Sequence, residues 1–470
     1  MPDPSRDDPT AGTIERLVNV VALPIGRWDR EARLVFCNPP YLRWSGRTRD
    51  ELFGHTLTEL YGEEAWDRAR PGFERAFRGA TTSYERLLRH GTLAGRWARV
   101  QVFPDTDANG EVHSVFTIAT DIHEDVTARE ALIAAARRGV HVDLMYDHYG
   151  SPDLSREFVD GLVAAGVLVR MFDPMRKLFG IRPNVFRRLH RKLVVVDERV
   201  AFVGGINFSE DHYASSGPDA KRDFAVRIEG PLVEPIRSFM RTAIATRGTG
   251  EPWKLPPAPT AAVTAGADAL FVVRDNGPHA NDIERHYKAA IRTARREIII
   301  ANAYFFPGHA LLRQLRNAAR RGVKVTIIVQ GNPDVPLALA GARWLYRYLT
   351  KGGVEIREFC KQPFHGKVAL IDDDWATIGS SNLDPLSLSI NLEANIVVRD
   401  HAFNAALRER LGQMLHTCRE IDRTCIPPRT WWRTLLSGVI FHFLRRFPRW
   451  AGLLPAHTPA IKVAKAKPAA

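Results

Sequence analysis

The chain has few cysteines, no long apolar run, and no acid in its final stretch. Its four cysteines, Cys37, Cys360, Cys418 and Cys425, are scattered. They form no metal-ligand spacing and no disulfide framework, which fits a reducing compartment. No apolar run reaches the ~18 residues that a spanning helix requires. The first ten residues are polar and acidic, with no basic stretch leading into an apolar core, so no signal peptide is expected. From Ile426 onward there are eight Lys or Arg and no Asp or Glu. That stretch carries most of a net charge of +13, from 66 basic against 53 acidic residues. Such an excess favours anionic partners: nucleic acid, acidic lipid or phosphorylated substrates. With 45% hydrophobic and 25% charged residues, the rest is ordinary globular composition.

Two segments recur. AARRGVHVDLMYD, from Ala135, returns as AARRGVKVTIIVQ, from Ala318. Each reads as a helix end, a glycine stop and an apolar strand. LHRKLVVVDERVAFVGGINFS, from Leu189, returns as FHGKVALIDDDWATIGSSNLD, from Phe364. Two copies of one α/β unit are therefore expected, joined by a Pro/Ala-rich linker. In the second copy AAIRTARREIIIANAYF supplies a helix and a buried strand ahead of AARRGV. Sliding the repeat back places SVFTIATDI, from Ser114, where the first copy needs that strand.

Within the repeats His190, Lys192 and Asp197 fall as H-x-K-x4-D, followed by Gly204, Gly205 and Asn207. His365, Lys367 and Asp372 repeat the spacing, followed by Gly379, Ser380 and Asn382. On a strand, residues two apart share a face, so each His and Lys point the same way. Glycine and serine in the return turn let the backbone come close. This set suits phosphodiester chemistry: lysines and asparagines hold the phosphate's charge, one imidazole attacks phosphorus, and the other moves the proton. One His-x-Lys alone would mean little. Two complete copies, each with its downstream turn, point to function. The runs LVVVD and VALID are expected to be buried strands.

These residues resemble the phospholipase D superfamily, over roughly Ala131 to Pro455. Within it they are most similar to bacterial cardiolipin synthases, on the stretches RRLHRKLVVVDERVAFVGGINFSEDH, RDFAVRIEGP, FHGKVALIDDDWATIGSSNLDPLSLSINLEAN and FHFLRRFPRWAGLLPAH. The resemblance implies two motifs meeting at one site on a pseudo-twofold axis, a phosphatidyl-histidine intermediate, and no cofactor or metal. It implies His190 as nucleophile and His365 as acid/base, or the reverse. Lys192, Lys367, Asn207 and Asn382 would hold the phosphate. Asp223, in RDF, and Glu393, in NLE, stand where the family places acids that orient the histidines, beside Gly204, Gly205 and Ser380. Asp197 and Asp372, part of the motif, read as structural partners near the site.

The stretch GRWDREARLVFCNPPYLRWSGRTRDELFGHTLTEL, from Gly26, resembles a PAS domain through Asp29, Asn38, Gly46 and Glu51-Leu52-Phe53-Gly54. Its last strand is again SVFTIATDI, and one strand cannot lie fully in two sheets. Either the domains share a junction or one is trimmed. Cys37 lacks the surroundings of a flavin photosensor, and neither His55 nor His90 stands out as a haem ligand. An unknown ligand, a PAS-mediated dimer or a structural role all fit. The tail TWWRTLLSGVIFHFLRRFPRWAGLLP has helical apolar spacing (Trp432, Leu435, Leu436, Val439, Phe443, Phe447) flanked by Arg433, Arg445, Arg446 and Arg449, which suits an interfacial helix on anionic lipid.

The expected architecture is α/β: a PAS-like α+β domain at 14–125, a first α/β/α sandwich half at 126–250, a linker at 251–268, a second, pseudo-symmetric half at 269–425 and a basic membrane-associating tail at 426–470. The expected activity joins two phosphatidylglycerol molecules into cardiolipin with release of glycerol. It would take place at an anionic membrane, peripherally and on the cytoplasmic side, without nucleic acid as a partner. The rivals are a phospholipase D-type hydrolase, and a non-catalytic membrane-bound sensor.

Overall fold

The computed structural model describes residues 18–174, 188–244, 268–331, 345–421 and 461–464, apart from 20, 22, 108, 152, 153, 155, 210, 211 and 213–219. All but the last residue of the expected linker, and all but 461–464 of the expected tail, lie outside the described residues. The chain divides into two compact units, Met1–Glu130 and Ala131–Ala470.

The first unit is one antiparallel sheet of β1 (Ile25–Trp28), β2 (Leu34–Cys37), β3 (Thr82–Leu87), β4 (Trp97–Thr106) and β5 (Val112–Asp121), in the order β2-β1-β5-β4-β3. Helices α1 (Pro39–Ser45), α2 (Leu57–Tyr61) and α3 (Glu63–Phe77) fill the connection from β2 to β3. Trp28, Leu34, Leu52, Phe73, Val102 and Val115 form its core. The motif residues act at the turns. Asp29 Oδ1 accepts the N–H groups of Glu31 and Arg33 at 3.1 and 2.7 Å. Buried Asn38 caps α1, and its Oδ1 accepts the Ile25 N–H at 2.9 Å. Gly46 ends α1 in the left-handed region, at φ 65°, where a Cβ is penalised. Cys37 is buried, and burial pushes its thiol up to about 11.

Strand β5 is the middle of this sheet, paired with β1 on one side and β4 on the other. It is followed by α4 (His123–Arg137), within which the division between the units falls. The two claims on SVFTIATDI are thereby decided: it belongs to the PAS-like sheet.

The second unit holds both repeats. Its later part is a single mixed sheet of β11 (Asp268–Arg274), β12 (Glu297–Asn302), β13 (Lys324–Gln330), β14 (Glu355–Phe359), β15 (Lys367–Ile371), β16 (Trp375–Gly379), β17 (Glu393–Arg399) and β18 (Cys418–Glu420), ordered β11-β17-β16-β15-β12-β13-β14-β18. Helices α7 (Asp282–Thr293) and α8 (His309–Arg320) supply Ile283, Tyr287, Leu311 and Leu315 to the core on one face. Helix α10 (His401–Leu415) supplies Leu407, Leu411 and Met414 to another core cluster. The short α9 (Pro385–Ser389) lies between β16 and β17.

The earlier part contains β6 (Asp143–Asp147), α5 (Arg156–Ala164), β7 (Leu168–Phe172), β8 (Lys192–Val196), β9 (Val200–Gly204), β10 (Ala225–Glu229) and α6 (Val233–Ile244). Here there are two sheets: β10-β9-β8, and β6-β7 extended by β19 (Ile461–Val463) from the chain's end. The repeat explains the split. In the second copy β12 lies between β13 and β15 and joins the two groups of strands. Ala135 matches Ala318, so residues 297–302 of β12 fall on 114–119, inside β5. That strand is committed elsewhere, and among the described residues β8 pairs only with β9 and β6 only with β7.

The expectation that LVVVD is as buried as VALID is therefore corrected. All five residues of β15 are buried, whereas β8 is partly exposed. Val196 is 46% exposed where its counterpart Ile371 is 2%. The two copies share a core in which Ala201, Val203, Ile236 and Phe239 pack with Phe271, Val273, Ala394 and Ile396.

Candidate active site

Each histidine lies two residues ahead of the lysine that opens its strand, and the backbone stitches each of these entries to the opposite copy. The His190 N–H donates to the Leu392 carbonyl at 3.0 Å, and the Leu392 N–H returns to Arg188 at 2.9 Å. The His365 N–H donates to the Arg222 carbonyl at 2.9 Å, and the Arg222 N–H donates to Pro363 at 2.7 Å. The residues that follow Leu392 and Arg222 are the acids Glu393 and Asp223. Each acid is thus delivered beside the histidine of the other copy.

The side chains complete this crossing. His190 Nδ1 donates to Glu393 Oε2 at 2.9 Å, and His365 Nδ1 donates to Asp223 Oδ2 at 2.7 Å. Both acid side chains are buried, at 0% and 2% exposure. An ionised carboxylate only accepts, so each Nδ1 carries the proton and each Nε2 is left as an acceptor. Burial lowers both imidazoles. His190 falls below its ordinary value against the opposing charge of Glu393. His365 is pushed down to about 3 by burial and by Lys367 beside it. Burial opposes the ionised acids, yet the hydrogen bond from His365 and the charge of Lys367 hold Asp223 below its ordinary value. Glu393 is held down in the same way by His190 and Lys192.

Lys192 and Lys367 enter the same cluster. The Lys192 ammonium donates to the His190 carbonyl at 2.8 Å, and Lys367 donates to the His365 carbonyl. Burial brings Lys192 down to about 7 and Lys367 to about 8. Each lysine's charge also lowers the histidine of the other copy. Ser380 Oγ donates to Glu393 Oε2 at 2.5 Å and accepts the Ala394 N–H at 3.0 Å. Asn382 is buried, and its Oδ1 has no hydrogen-bond partner among the described residues. Asn207 donates through Nδ2 to His212 Nε2 at 3.3 Å. Gly204 and Gly205 are both buried, and a Cβ on Gly205 would collide with the Asp223 carboxylate.

Two of the expected site residues stand apart. Asp197 and Asp372 follow the far ends of β8 and β15. Each lies five positions beyond its lysine along the strand, roughly 16 Å away. Asp372 accepts the N–H groups of Arg295, Arg296 and Glu297 at 2.9, 2.9 and 3.0 Å, anchoring the start of β12. Asp197 is an exposed turn residue with φ 50°. The last position of the motif therefore shapes the strand end rather than the cleft.

Two residues join the site without having been singled out in the sequence. Asp384 caps α9, accepting the Leu386 and Ser387 N–H groups at 2.8 and 3.0 Å, and its charge supports protonated Lys367. His212 packs edge-on against His365, with ring centres 5.2 Å apart and planes at 80°. No doubled pattern could reveal His212, because the second copy reads NLDPLSL where the first reads NFSEDHY. His212, Asp223 and His365 also bring three potential metal-ligand atoms within 4.8 Å of one another. An ion there would take the Asp223 carboxylate from His365. Among the described residues no helix is long and apolar enough to cross a membrane.

A family model described as "Cardiolipin synthase, PLD-like domain" matches residues 111–239 and 287–415. A "PAS fold" model matches 18–127. The two overlap on β5 and the start of α4. Cardiolipin synthase B of Escherichia coli (strain K12) is 54% identical over 334 residues, covering 70% of this chain and 81% of the relative. A cardiolipin synthase of Halalkalibacterium halodurans is 31% identical over 341 residues, covering 70% and 66%. Among solved structures, phosphatidylserine synthase of Haemophilus influenzae Rd KW20 has the same fold, with a TM-score of 0.54 at 14% identity, over 70% of this chain and 86% of that one. With its two crossed half-sites and these relatives, the chain belongs to the cardiolipin synthase family of phospholipase D-like proteins and is a phospholipase D-type phosphatidyltransferase preceded by a PAS domain.

Proposed function

We propose that this protein makes cardiolipin from two molecules of phosphatidylglycerol, with release of glycerol, through a phosphatidyl-histidine intermediate. The observation that carries this reading is the crossed pairing, in which each copy's histidine is held by the other copy's buried acid. Such pairing makes one site from two distant stretches of chain. It leaves two Nε2 atoms for chemistry, and two-step transfer uses two.

In the first step His190 Nε2 attacks phosphorus. The P–N bond forms, the P–O bond to glycerol breaks, and His365, protonated on Nε2 once the anionic phosphodiester is bound, delivers that proton to the departing oxygen. In the second step a hydroxyl of another phosphatidylglycerol gives its proton back to His365. Its oxygen bonds to phosphorus and the P–N bond breaks. Glu393 and Asp223 keep each imidazole in the Nδ1–H form and steady the imidazolium. Lys192, Lys367, Asn207 and Asn382 supply the cationic and amide donors for the phosphoryl oxygens. The arriving phosphodiester is anionic and opposes the desolvation that depresses both lysines and His365. The substrate would lie in an anionic membrane, to which the protein attaches peripherally from the cytoplasmic side.

The test is product analysis after incubation with phosphatidylglycerol vesicles. Wild type should yield cardiolipin and glycerol, and His190→Ala and His365→Ala should each lose at least about three orders of magnitude in turnover. Phosphatidic acid in place of cardiolipin would make the protein a hydrolase. No turnover at all by wild type would return it to the sensor reading.

A further inference from the structure

The two acids are supported differently. Ser380 gives Glu393 a second hydrogen bond besides that of His190. The matching position in the other copy, set by GGIN against GSSN, is Gly205. No serine fits there, because a Cβ on Gly205 would run into the Asp223 carboxylate. Aspartate is one methylene shorter than glutamate, and Asp223 lies directly against that glycine. Asp223 Oδ1 accepts the Phe224 N–H at 2.7 Å, so a side-chain partner for Oδ2, the oxygen that His365 uses, must come from elsewhere.

His212 occupies that place. Its side chain is 1% exposed, and its Nδ1 lies 3.7 Å from Asp223 Oδ2. The Asn207 amide nitrogen can only donate, so Nε2 of His212 accepts and the ring proton of the neutral form is on Nδ1, the nitrogen nearer Asp223. The edge-on packing against His365 fixes the relation of the two rings. At 3.7 Å the pair is wider than a hydrogen bond. Contacts of this kind tighten when substrate is engaged.

We propose that His212 is a positioning residue for the reaction assigned above: it donates to Asp223 as Ser380 donates to Glu393, and so keeps Asp223 ionised and aligned while His365 gains and loses its proton. This rests on the proposed role of His365. The N–H matters most when His365 is charged. With this side-chain donor in place the carboxylate is less basic, and the proton stays on the imidazole from which it must be delivered. His212 touches neither phosphorus nor alcohol, and its effect should appear in turnover rather than in lipid affinity.

The experiment compares wild type, His212→Ala and His212→Gln by total phosphatidylglycerol consumption in vesicles, with thermal unfolding as the check on folding. His212→Ala should lower kcat by about tenfold or more, the effect of one hydrogen bond to a charged group, and leave KM within about twofold. His212→Gln keeps an N–H for Asp223 and a carbonyl for Asn207, and should recover most of the loss. A kcat for His212→Ala within about twofold of wild type would overturn the proposal, as would a loss that glutamine does not relieve. If the alanine variant fails to fold, His212→Asn replaces it: the same amide on a shorter reach should fall below glutamine, and equality of the two would overturn the proposal. Phosphatidylglycerol is consumed with either acceptor, two molecules per transfer to lipid and one per transfer to water, so the ratio between variants is readable in both cases. A wild type that releases phosphatidic acid would sink cardiolipin synthesis while leaving the His212 comparison readable.

Discussion

Gly205 and Ser380 hold the same place in the two copies, yet their side chains cannot be exchanged. A serine at 205 would bring GGIN one residue closer to GSSN and would push its Cβ into Asp223. Gly205→Ser should therefore displace the carboxylate from His365 and cost about a hundredfold in turnover, as a misplacement of roughly 1 Å does. Ser380→Gly removes a donor and inserts no atom, so its loss should be smaller, about tenfold. Steady-state turnover of both variants beside their melting temperatures checks this, and full turnover by Gly205→Ser would show that Asp223 is not held where it stands. Most of this site was legible in the sequence because it is written twice. The histidines, lysines and asparagines recur at fixed spacing, and the acids follow in RDF and NLE. His212 occurs once, and only its packing against His365 reveals it. Asp197 and Asp372 recur as faithfully as the lysines, and they stand at strand ends. Repetition marks what the fold requires as well as what the chemistry requires.

At the scale of elements, β8 and β15 look alike in sequence and differ in surroundings. The Val196 and Ile371 positions correspond, at 46% and 2% exposure. Ile371→Lys would bury an unpaired ammonium and should cost about 4 kcal/mol or more. Val196→Lys leaves its charge in water and should change stability by less than about 1 kcal/mol. Denaturant unfolding of the two variants measures the difference, and equal losses would mean that a strand covers β8. No local pattern in LVVVD could have forecast this. An apolar run tells a strand what it can tolerate, while burial depends on whether a neighbour arrives. Here the neighbour, 70-odd residues upstream, is spent in another sheet. The counterpart of β18 is likewise hidden in the sequence, since β19 comes from the far end of the chain to pair with β7.

For the whole molecule, the overlap of two family models at residues 111–127 marks where a PAS fold and a phospholipase D-like half meet on one stretch of chain. The net charge of +13 gives the chain an attraction for anionic lipid, and the tail carries eight of the basic residues. Neutralising Arg433, Arg445, Arg446 and Arg449 to glutamine should weaken binding to phosphatidylglycerol vesicles by two to three orders of magnitude, at about 1 kcal/mol for each charge near the surface. Co-sedimentation reads this, and unchanged partitioning would rule out the tail as an anchor. Substitution is the cleaner probe, because deleting the whole tail would also remove β19, whose Ile461 packs with Phe172 and Leu392.

The amino-acid sequence by itself determined the doubled motif, the class of chemistry, the PAS-type turns and the apolar strands, because each rests on residues close together in the chain or repeated along it. The tertiary structure alone decided three further things: which acid serves which histidine, which sheet owns β5, and which side chain packs beside Asp223 and His365. Those depend on stretches far apart in the chain competing for the same neighbours, and such competition is settled only when the backbone groups and apolar faces of all of them are paired at once.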